Sequence, residues 1–193
     1  MPELSYPFET ERLLLRPIEE TDAPAIHAYQ SRPEVAEYQF WDPRGLATVR
    51  EKTLEWQGMR QVTGEGELAL AVTLKTTGEL IGDVFFKITD ALARQGTVGY
   101  TLNPDFQCKG YATEAARALL NLGFGQFGLH RVFARCDARN VPSWRLMERL
   151  GMRREAHFKE HALFKGGWDE EFYYAILQRE WCPKTAGSPG SRQ

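Results

Sequence analysis

The sequence has few cysteines, no excess of basic residues and no long hydrophobic run. Its 193 residues include only three cysteines, Cys108, Cys136 and Cys182, and none form a CxxC pair. This pattern favours reduced thiols in a cytosolic protein over a disulfide framework. The net charge of −2 argues against a general nucleic-acid binder. No apolar run approaches the ~20 residues that span a bilayer, and residues 1–10 show no signal-peptide pattern. We therefore expect a cytoplasmic protein that binds neither nucleic acid nor a membrane.

The composition is that of a globular protein, with 42% hydrophobic and 26% charged residues and no internal repeat. A chain of this length can bury a sizeable core without disulfides or metals. We expect one domain over residues 8–181. The segment 183–193 is rich in Pro, Gly and Ser, which predicts a flexible C-terminal tail.

Hydrophobic patterning predicts alternating strands and helices, and therefore an α/β fold. An apolar face at i, i+3, i+4 spacing predicts a long helix over about 112–127, and a shorter helix begins at Asn140 and stops at Gly151. The sequence Thr76-Thr77-Gly78-Glu79 predicts a hairpin turn. The predicted strands are 13–16, 68–74, 80–88, 97–102, 131–137, 157–164 and 172–177.

The segment Gln107–Thr113 lies between a predicted strand and the long helix. Backbone N–H groups at a helix N-terminus have no internal partner, and the helix dipole favours negative charge there. Gly110 and the small Ala112 would let the backbone approach a phosphate, and Lys109 adds a positive charge. This segment is therefore a candidate anion-binding loop.

Several spaced motifs in this region resemble one known family. The chain is similar to the GCN5-related N-acetyltransferases, in the branch of the bacterial ribosomal-protein N-terminal acetyltransferases. The resemblance covers Thr10 to about Trp181. Its strongest motifs are Gly99-Tyr100, Gln107-x-x-Gly110-Tyr111-Ala112-Thr113-Glu114-Ala115, Arg135-x-Asp137-x-x-Asn140-x-x-Ser143 and Glu148-Arg149-Leu150-Gly151-Met152.

The resemblance implies a single α/β domain with a mixed, mostly antiparallel central sheet of about six to seven strands, flanked by helices. Two parallel central strands should splay into a V-shaped cleft that takes acetyl-CoA, with no metal. The pantetheine arm would bond to the main chain of Tyr100, Thr101 and Leu102. Asn140 would contact the cofactor, and Ser143 would lie near the thioester sulfur. The residues implied to hold the pyrophosphate are Gln107, Cys108, Lys109, Gly110, Tyr111, Ala112 and Thr113.

The implied reaction is direct attack of an amine on the thioester, with a proton donor for the leaving thiolate and a base for the amine. Many relatives use a tyrosine as the donor, but its position here is Met147. Ser143 is then the candidate acid, although a serine near a helix start also serves as a cap. For the base, an ungapped comparison with the family places Ala162 at the position where relatives carry a carboxylate residue. Glu160 is the candidate base, with His161 or a water chain as alternatives.

The acceptor is implied to be a protein N-terminal α-amine. A small-molecule amine (an antibiotic, a polyamine or an amino-acid derivative) and a non-catalytic acyl-CoA-binding domain remain alternatives. Tyr38, Phe40 and Trp41 lie where the family builds its acceptor wall, although they could equally be core aromatics. Members of the family commonly form homodimers, which leaves the oligomeric state open.

Three other readings fit less well. His157 and His161 are four residues apart on a predicted strand and lack a third ligand, so we expect no metal. Cys108 has no obvious histidine partner for nucleophilic catalysis. A doubly wound nucleotide-binding fold would call for a GxGxxG motif early in the chain, which is not present.

Overall fold

The computed structural model describes residues 3–62 and 64–181, and within them eight strands form one sheet. The strands are β1 (Phe8–Glu9), β2 (Leu13–Pro17), β3 (Glu67–Leu74), β4 (Leu80–Asp90), β5 (Gln95–Leu102), β6 (Arg131–Asp137), β7 (Arg153–Phe164) and β8 (Gly167–Leu177). Their spatial order is β1-β2-β3-β4-β5-β6-β8-β7. All neighbouring pairs are antiparallel except β5 and β6, which are parallel.

In the described part of the chain, five α-helices cover the two faces of the sheet. They are α1 (Ala23–Gln30), α2 (Pro33–Ala36), α3 (Leu46–Gln57), α4 (Tyr111–Asn121) and α5 (Val141–Arg149). Strand β3 shows how the faces divide, because its side chains alternate with a period of two. Leu68, Leu70 and Val72 pack in the larger core with α4 and α5, whereas Ala69 and Ala71 pack in a second cluster with α1 and α3.

The parallel pair β5–β6 separates partway along its length. Their pairing covers Gln95–Thr97 against Arg131–Phe133 and stops there. Beyond that point β5 stays paired with β4 as far as Leu102, and β6 stays paired with β8 as far as Asp137. The sheet therefore opens into a wedge between the C-terminal halves of its two central strands.

An irregularity in the β7–β8 hairpin alters which side chains face the open wedge. Lys159 lies opposite Glu170 and Leu163 lies opposite Trp168, so three residues of β7 face the single Asp169 of β8. Glu160 has a positive φ of 52° within this bulge. A bulge re-aims side chains, and here it brings His161 against Asp169, with Nδ1 and Oδ1 3.0 Å apart.

The predicted α/β class, single mixed sheet and splayed parallel pair are confirmed, and the described residues form eight strands, slightly more than the expected six to seven. The additional strand is β1, which pairs Phe8 and Glu9 with Leu15 and Leu14. Two residues are too few to show a period, so patterning did not predict this strand. The predicted tail at 183–193 lies outside the described residues.

Candidate active site

A cavity of about 780 Å³ fills the wedge between β5 and β6. Of the twelve predicted cofactor-contacting residues, all but Lys109 line it. Side chains from α2, α5 and the β7–β8 hairpin complete the walls. Those that sequence reasoning did not select include Glu34, Arg135, Arg145, Arg149, Asp169 and Glu171.

The β5 wall of the cavity presents a free strand edge. Tyr100, Thr101 and Leu102 pair with β4 on one side, and no described strand pairs with them on the other. Main-chain donors and acceptors on such an edge are available to an extended ligand, which would add to the sheet as a further strand does.

The loop before α4 has the geometry of an anion site. Gly110 precedes the helix with a φ of 83°, and Cys108 also has a positive φ of 60°. These conformations turn the chain so that it enters α4 at Tyr111. The amides of the first turn of α4 have no partner within the helix, and they border the cavity at Tyr111, Ala112 and Thr113.

Arg12 fixes this loop from the β1–β2 connection. Its guanidinium donates to the Lys109 carbonyl oxygen at 3.0 Å and lies 4.5 Å from the centre of the Tyr111 ring. It also pairs with Glu114 in the first turn of α4 at 2.7 Å. The loop is therefore held by contacts made outside the cavity.

The positive charge in the cavity comes from a different element than the sequence indicates. Lys109 does not line the cavity, because its ammonium donates to the Asp105 carbonyl oxygen at 2.9 Å and lies over the Phe106 ring. Arg145 and Arg149 do line it. They are one turn apart on α5, and this i, i+4 spacing was the available signal for them.

Ser143 forms the centre of a partly buried polar cluster on the α5 side of the wedge. Its Oγ lies 2.9 Å from the Tyr100 hydroxyl, which also donates to the Ser143 carbonyl oxygen at 3.1 Å. Burial raises the pKa of Tyr100, with a hydrogen bond to Ser143 opposing it. Burial likewise raises the pKa of Cys136 to about 11, again opposed by a hydrogen bond to Ser143. All three groups therefore carry their protons at neutral pH.

Asn140, rather than Ser143, caps helix α5. The Asn140 side-chain oxygen accepts a hydrogen bond from the Ser143 backbone N–H at 3.2 Å, which leaves the Ser143 hydroxyl free for Tyr100. Gln107 plays a similar bracing part at the loop, because its amide nitrogen donates to the Leu102 carbonyl oxygen at 3.1 Å.

The three predicted acceptor-wall aromatics separate into two groups. Tyr38 and Phe40 line the cavity, and Phe40 is 70% exposed. Trp41 does not line it: it packs against the second hydrophobic cluster beneath the guanidinium of Arg44, 4.4 Å from the ring centre. Trp41 therefore has the position of a core aromatic rather than of an acceptor-wall residue.

Three acidic side chains that line the cavity, Asp137, Asp169 and Glu171, form an acidic wall on the opposite face of the sheet from Ser143. Glu171 is opposite Asp137 across the β6–β8 ladder, and alternation places both on the other face from Cys136. Glu160, the predicted base, is exposed and lies outside the cavity lining, whereas Asp169 and Glu171 are buried and line it. Among residues 3–62 and 64–181, no group of three or more potential ligands is placed to hold a metal.

The family model described as an acetyltransferase (GNAT) domain matches residues 12–153. The chain is 38% identical over 173 residues to the uncharacterized N-acetyltransferase YnaD of Bacillus subtilis, covering 89% of this chain and 97% of that protein. A crystal structure of a GNAT-family acetyltransferase from Bacillus anthracis superposes with a TM-score of 0.82 at 35% identity, covering 89% of this chain and 98% of that one. The chain therefore belongs to the GNAT acetyltransferase family, and its enzymatic class is N-acetyltransferase.

More distant relatives differ in their acceptors. Escherichia coli spermidine N(1)-acetyltransferase is 24% identical over 179 residues, covering 90% of this chain and 91% of that protein. The E. coli enzyme named for alanine of ribosomal protein uS5 is 29% identical over 86 residues, covering 45% of this chain and 44% of that protein. None of the described helices has the length and apolar character needed to cross a membrane.

Proposed function

We propose that this chain transfers the acetyl group of acetyl-CoA to a primary amine, and that its acceptor is a protein N-terminal α-amine. The observation that carries the proposal is the free edge of β5 at Tyr100–Leu102, which lies in one cavity with the amides of Tyr111–Thr113. An extended arm with amide groups and a pyrophosphate at its far end matches these two features. Arg145 and Arg149 would add charge for the phosphates.

Two groups of residues would divide the chemistry across the wedge. On the α5 side, the hydroxyls of Ser143 and Tyr100 would bond to the leaving sulfur, because both remain protonated at neutral pH. A main-chain N–H near Leu102 would face the thioester oxygen. On the other side, Tyr38 and Phe40 border the space where an amine would enter.

The open shape of this side supports a peptide acceptor. Phe40, Phe164 and Arg135 form a partly exposed rim in which Phe40 lies 5.6 Å from the ring of Phe164 and 5.1 Å from the guanidinium of Arg135. A peptide could rest its following residues on this rim while its terminal amine reaches the thioester.

A small polycationic amine is the second candidate acceptor. The observation in its favour is the acidic lining, with carboxylates from α2, β6 and β8 around one cavity. Such a surface attracts positively charged ligands. The shared chemistry of the two acceptors is a primary amine that arrives as an ammonium ion.

A screen for release of free thiol from acetyl-CoA separates these candidates. The panel holds peptides with different N-terminal residues, matched peptides with blocked N-termini, and linear polyamines. We expect turnover with the free-terminus peptides and mass spectrometry that places the acetyl group on the α-amine. Turnover with polyamines alone would replace the peptide acceptor by the small-amine one. Thiol release with no member of the panel would contradict both.

A further inference from the structure

Five acidic side chains line the cavity, and four of them are occupied by partners. Arg32 binds Glu34, Arg139 binds Asp137, the Ala162 backbone N–H binds Asp169 and His157 binds Glu170, at distances of 2.7–3.0 Å. The fifth is Glu171.

Glu171 differs from the others in that no described residue makes a hydrogen bond to its carboxylate. Its nearest charged partners are Arg135 Nε and His161 Nε2, each at 3.7 Å. The residue is only 5% exposed, yet it borders the cavity. Because no described residue donates a hydrogen bond to it, the Glu171 carboxylate is available beside the cavity to accept a proton or a hydrogen bond from a ligand.

His161 connects this carboxylate to solvent. Its Nδ1 lies 3.0 Å from Asp169 Oδ1, which fixes the ring and favours the proton on Nδ1, while Nε2 faces Glu171. The histidine side chain is 38% exposed. A proton received on Nε2 can therefore leave to water without crossing the cavity.

We infer that Glu171 is the base that takes the proton of the attacking amine and that His161 passes this proton to solvent. The inference rests on the proposed acetyl transfer. In that reaction the amine nitrogen forms a bond to the acetyl carbon while the carbon–sulfur bond breaks. An acceptor that arrives as an ammonium ion first loses one proton to water and attacks as the neutral amine. Its nitrogen then gives a second proton to Glu171, and the leaving sulfur gains one from the Ser143–Tyr100 hydroxyl pair, which solvent restores.

The position of Glu171 suits this role, because Glu171 and Ser143 lie on opposite faces of the sheet. Glu171 belongs to the face of Arg135 and Asp137, and Ser143 bonds to Tyr100 on the face of α4 and α5. An acceptor that enters from the Glu171 side would attack the thioester from the face away from the Ser143–Tyr100 pair. Proton removal and proton donation are then kept apart.

The electrostatic surroundings of Glu171 make its carboxylate a stronger base than an ordinary glutamate. Burial raises the pKa of Glu171, Arg135 on β6 and His161 on β7 lower it, and Asp169 on β8 and Asp137 on β6 raise it. The outcome is a raised pKa. A carboxylate with a raised pKa accepts a proton more readily than an ordinary one.

The test compares Glu171→Gln, His161→Gln and wild type in kcat/KM across pH, with an acceptor identified by the thiol-release screen. We expect Glu171→Gln to lower kcat/KM by about a hundredfold or more. The variant should also lose the acidic limb of the profile, which is the fall in kcat/KM at low pH that protonation of the base causes. His161→Gln removes the imidazole that would take the proton from Glu171, so kcat/KM should fall while the acidic limb remains. The profile is measured with two acceptors of different amine pKa. A limb that stays at the same pH with both acceptors belongs to a group of the enzyme and not to the amine.

Two further variants and a binding measurement make the result decisive. Glu79→Gln alters an exposed glutamate of the β3–β4 turn and should keep wild-type kinetics. Glu160→Gln tests the base predicted from the sequence. Acetyl-CoA affinity by calorimetry should match wild type in Glu171→Gln. The inference is overturned if Glu171→Gln retains the acidic limb, or if Glu160→Gln loses it. Absence of wild-type turnover would instead overturn the proposed function, and the inference with it.

Discussion

The Tyr100 hydroxyl of β5 and the Ser143 hydroxyl of α5 lie 2.9 Å apart at the apex of the wedge. The pair joins two residues that are 43 positions apart in the chain. Because Asn140 already caps α5, the Ser143 hydroxyl is not needed for the helix. The pair places two protonated hydroxyls on the α5 side of the cavity.

The first prediction concerns this pair. Ser143→Ala should lower kcat by about a hundredfold, because the leaving sulfur loses its donor. Tyr100→Phe keeps the aromatic ring and removes both hydrogen bonds between the hydroxyl and Ser143, so a loss of roughly twofold to tenfold is expected. The double variant should be little worse than Ser143→Ala alone, because both changes break the same contact.

Steady-state kinetics on the four proteins measure this coupling. Tyr173→Phe is a matched control, since that tyrosine lies outside the cavity lining and stacks on Phe133. Fully additive losses in the double variant would contradict a shared role for the two hydroxyls.

The second prediction concerns Gly110. A glutamate there would carry a negative charge to the amides of α4, and its Cβ would lie 3.3 Å from Arg12 Nη2. We expect the dissociation constant of acetyl-CoA in calorimetry to rise at least about tenfold, equivalent to 1.4 kcal/mol. The loss follows from repulsion of the pyrophosphate and from obstruction of the loop.

Gly128→Glu is the matched control for Gly110→Glu. Gly128 also has a positive φ, of 59°, but its added Cβ meets nothing within 4 Å and it does not line the cavity. Both variants carry the backbone strain of a left-handed residue, about 1–2 kcal/mol, so their thermal stabilities should fall together. Equal weakening of acetyl-CoA binding in both would show that strain, rather than the loop, is responsible.

Local features of this protein were predictable from its sequence, and contacts across the sheet were not. Strand β6 was predicted with the bounds that the structure has, because its alternation is regular and its flanks are polar. The turn at Gly110 and the start of α4 could be predicted because a glycine directly precedes an amphipathic helix, and anion binding by this loop remains a prediction. The divergence of β5 and β6 came from the family resemblance, since no local pattern encodes it.

The acidic wall shows why the base inferred from the structure, Glu171, differs from the base predicted from the sequence, Glu160. Sequence spacing placed Glu160 on the face of the cleft because a regular strand alternates every residue. The bulge between Lys159 and Leu163 breaks that alternation, so Glu160 turns to solvent and His161 turns to Asp169. The sequence did not single out Glu171. What distinguishes it is the lack of a hydrogen bond to its carboxylate, and this depends on tertiary contacts in which the other four acidic side chains have hydrogen-bond partners.

The third prediction concerns Glu114, which ties the β1–β2 connection to α4. Its carboxylate accepts from the Thr10 hydroxyl at 2.6 Å and from the Arg12 backbone N–H and Nε at 2.7 Å each. Burial acts to raise the pKa of Glu114, but these hydrogen bonds and the Arg12 charge outweigh it and lower the pKa. A lowered folded pKa means that ionised Glu114 stabilises the native state.

This stabilisation has a defined pH dependence. It is fully present above the ordinary glutamate pKa of about 4.3, and it is lost as pH falls through the lower folded value. Glu114→Gln should therefore reduce the free energy of unfolding by about 1–3 kcal/mol at pH 7, and the difference from wild type should shrink on acidification. Urea titrations at pH 7 and at lower pH measure both quantities, with Glu79→Gln as the exposed control. A difference that stays constant across this range would mean that Glu114 acts through packing rather than through its charge.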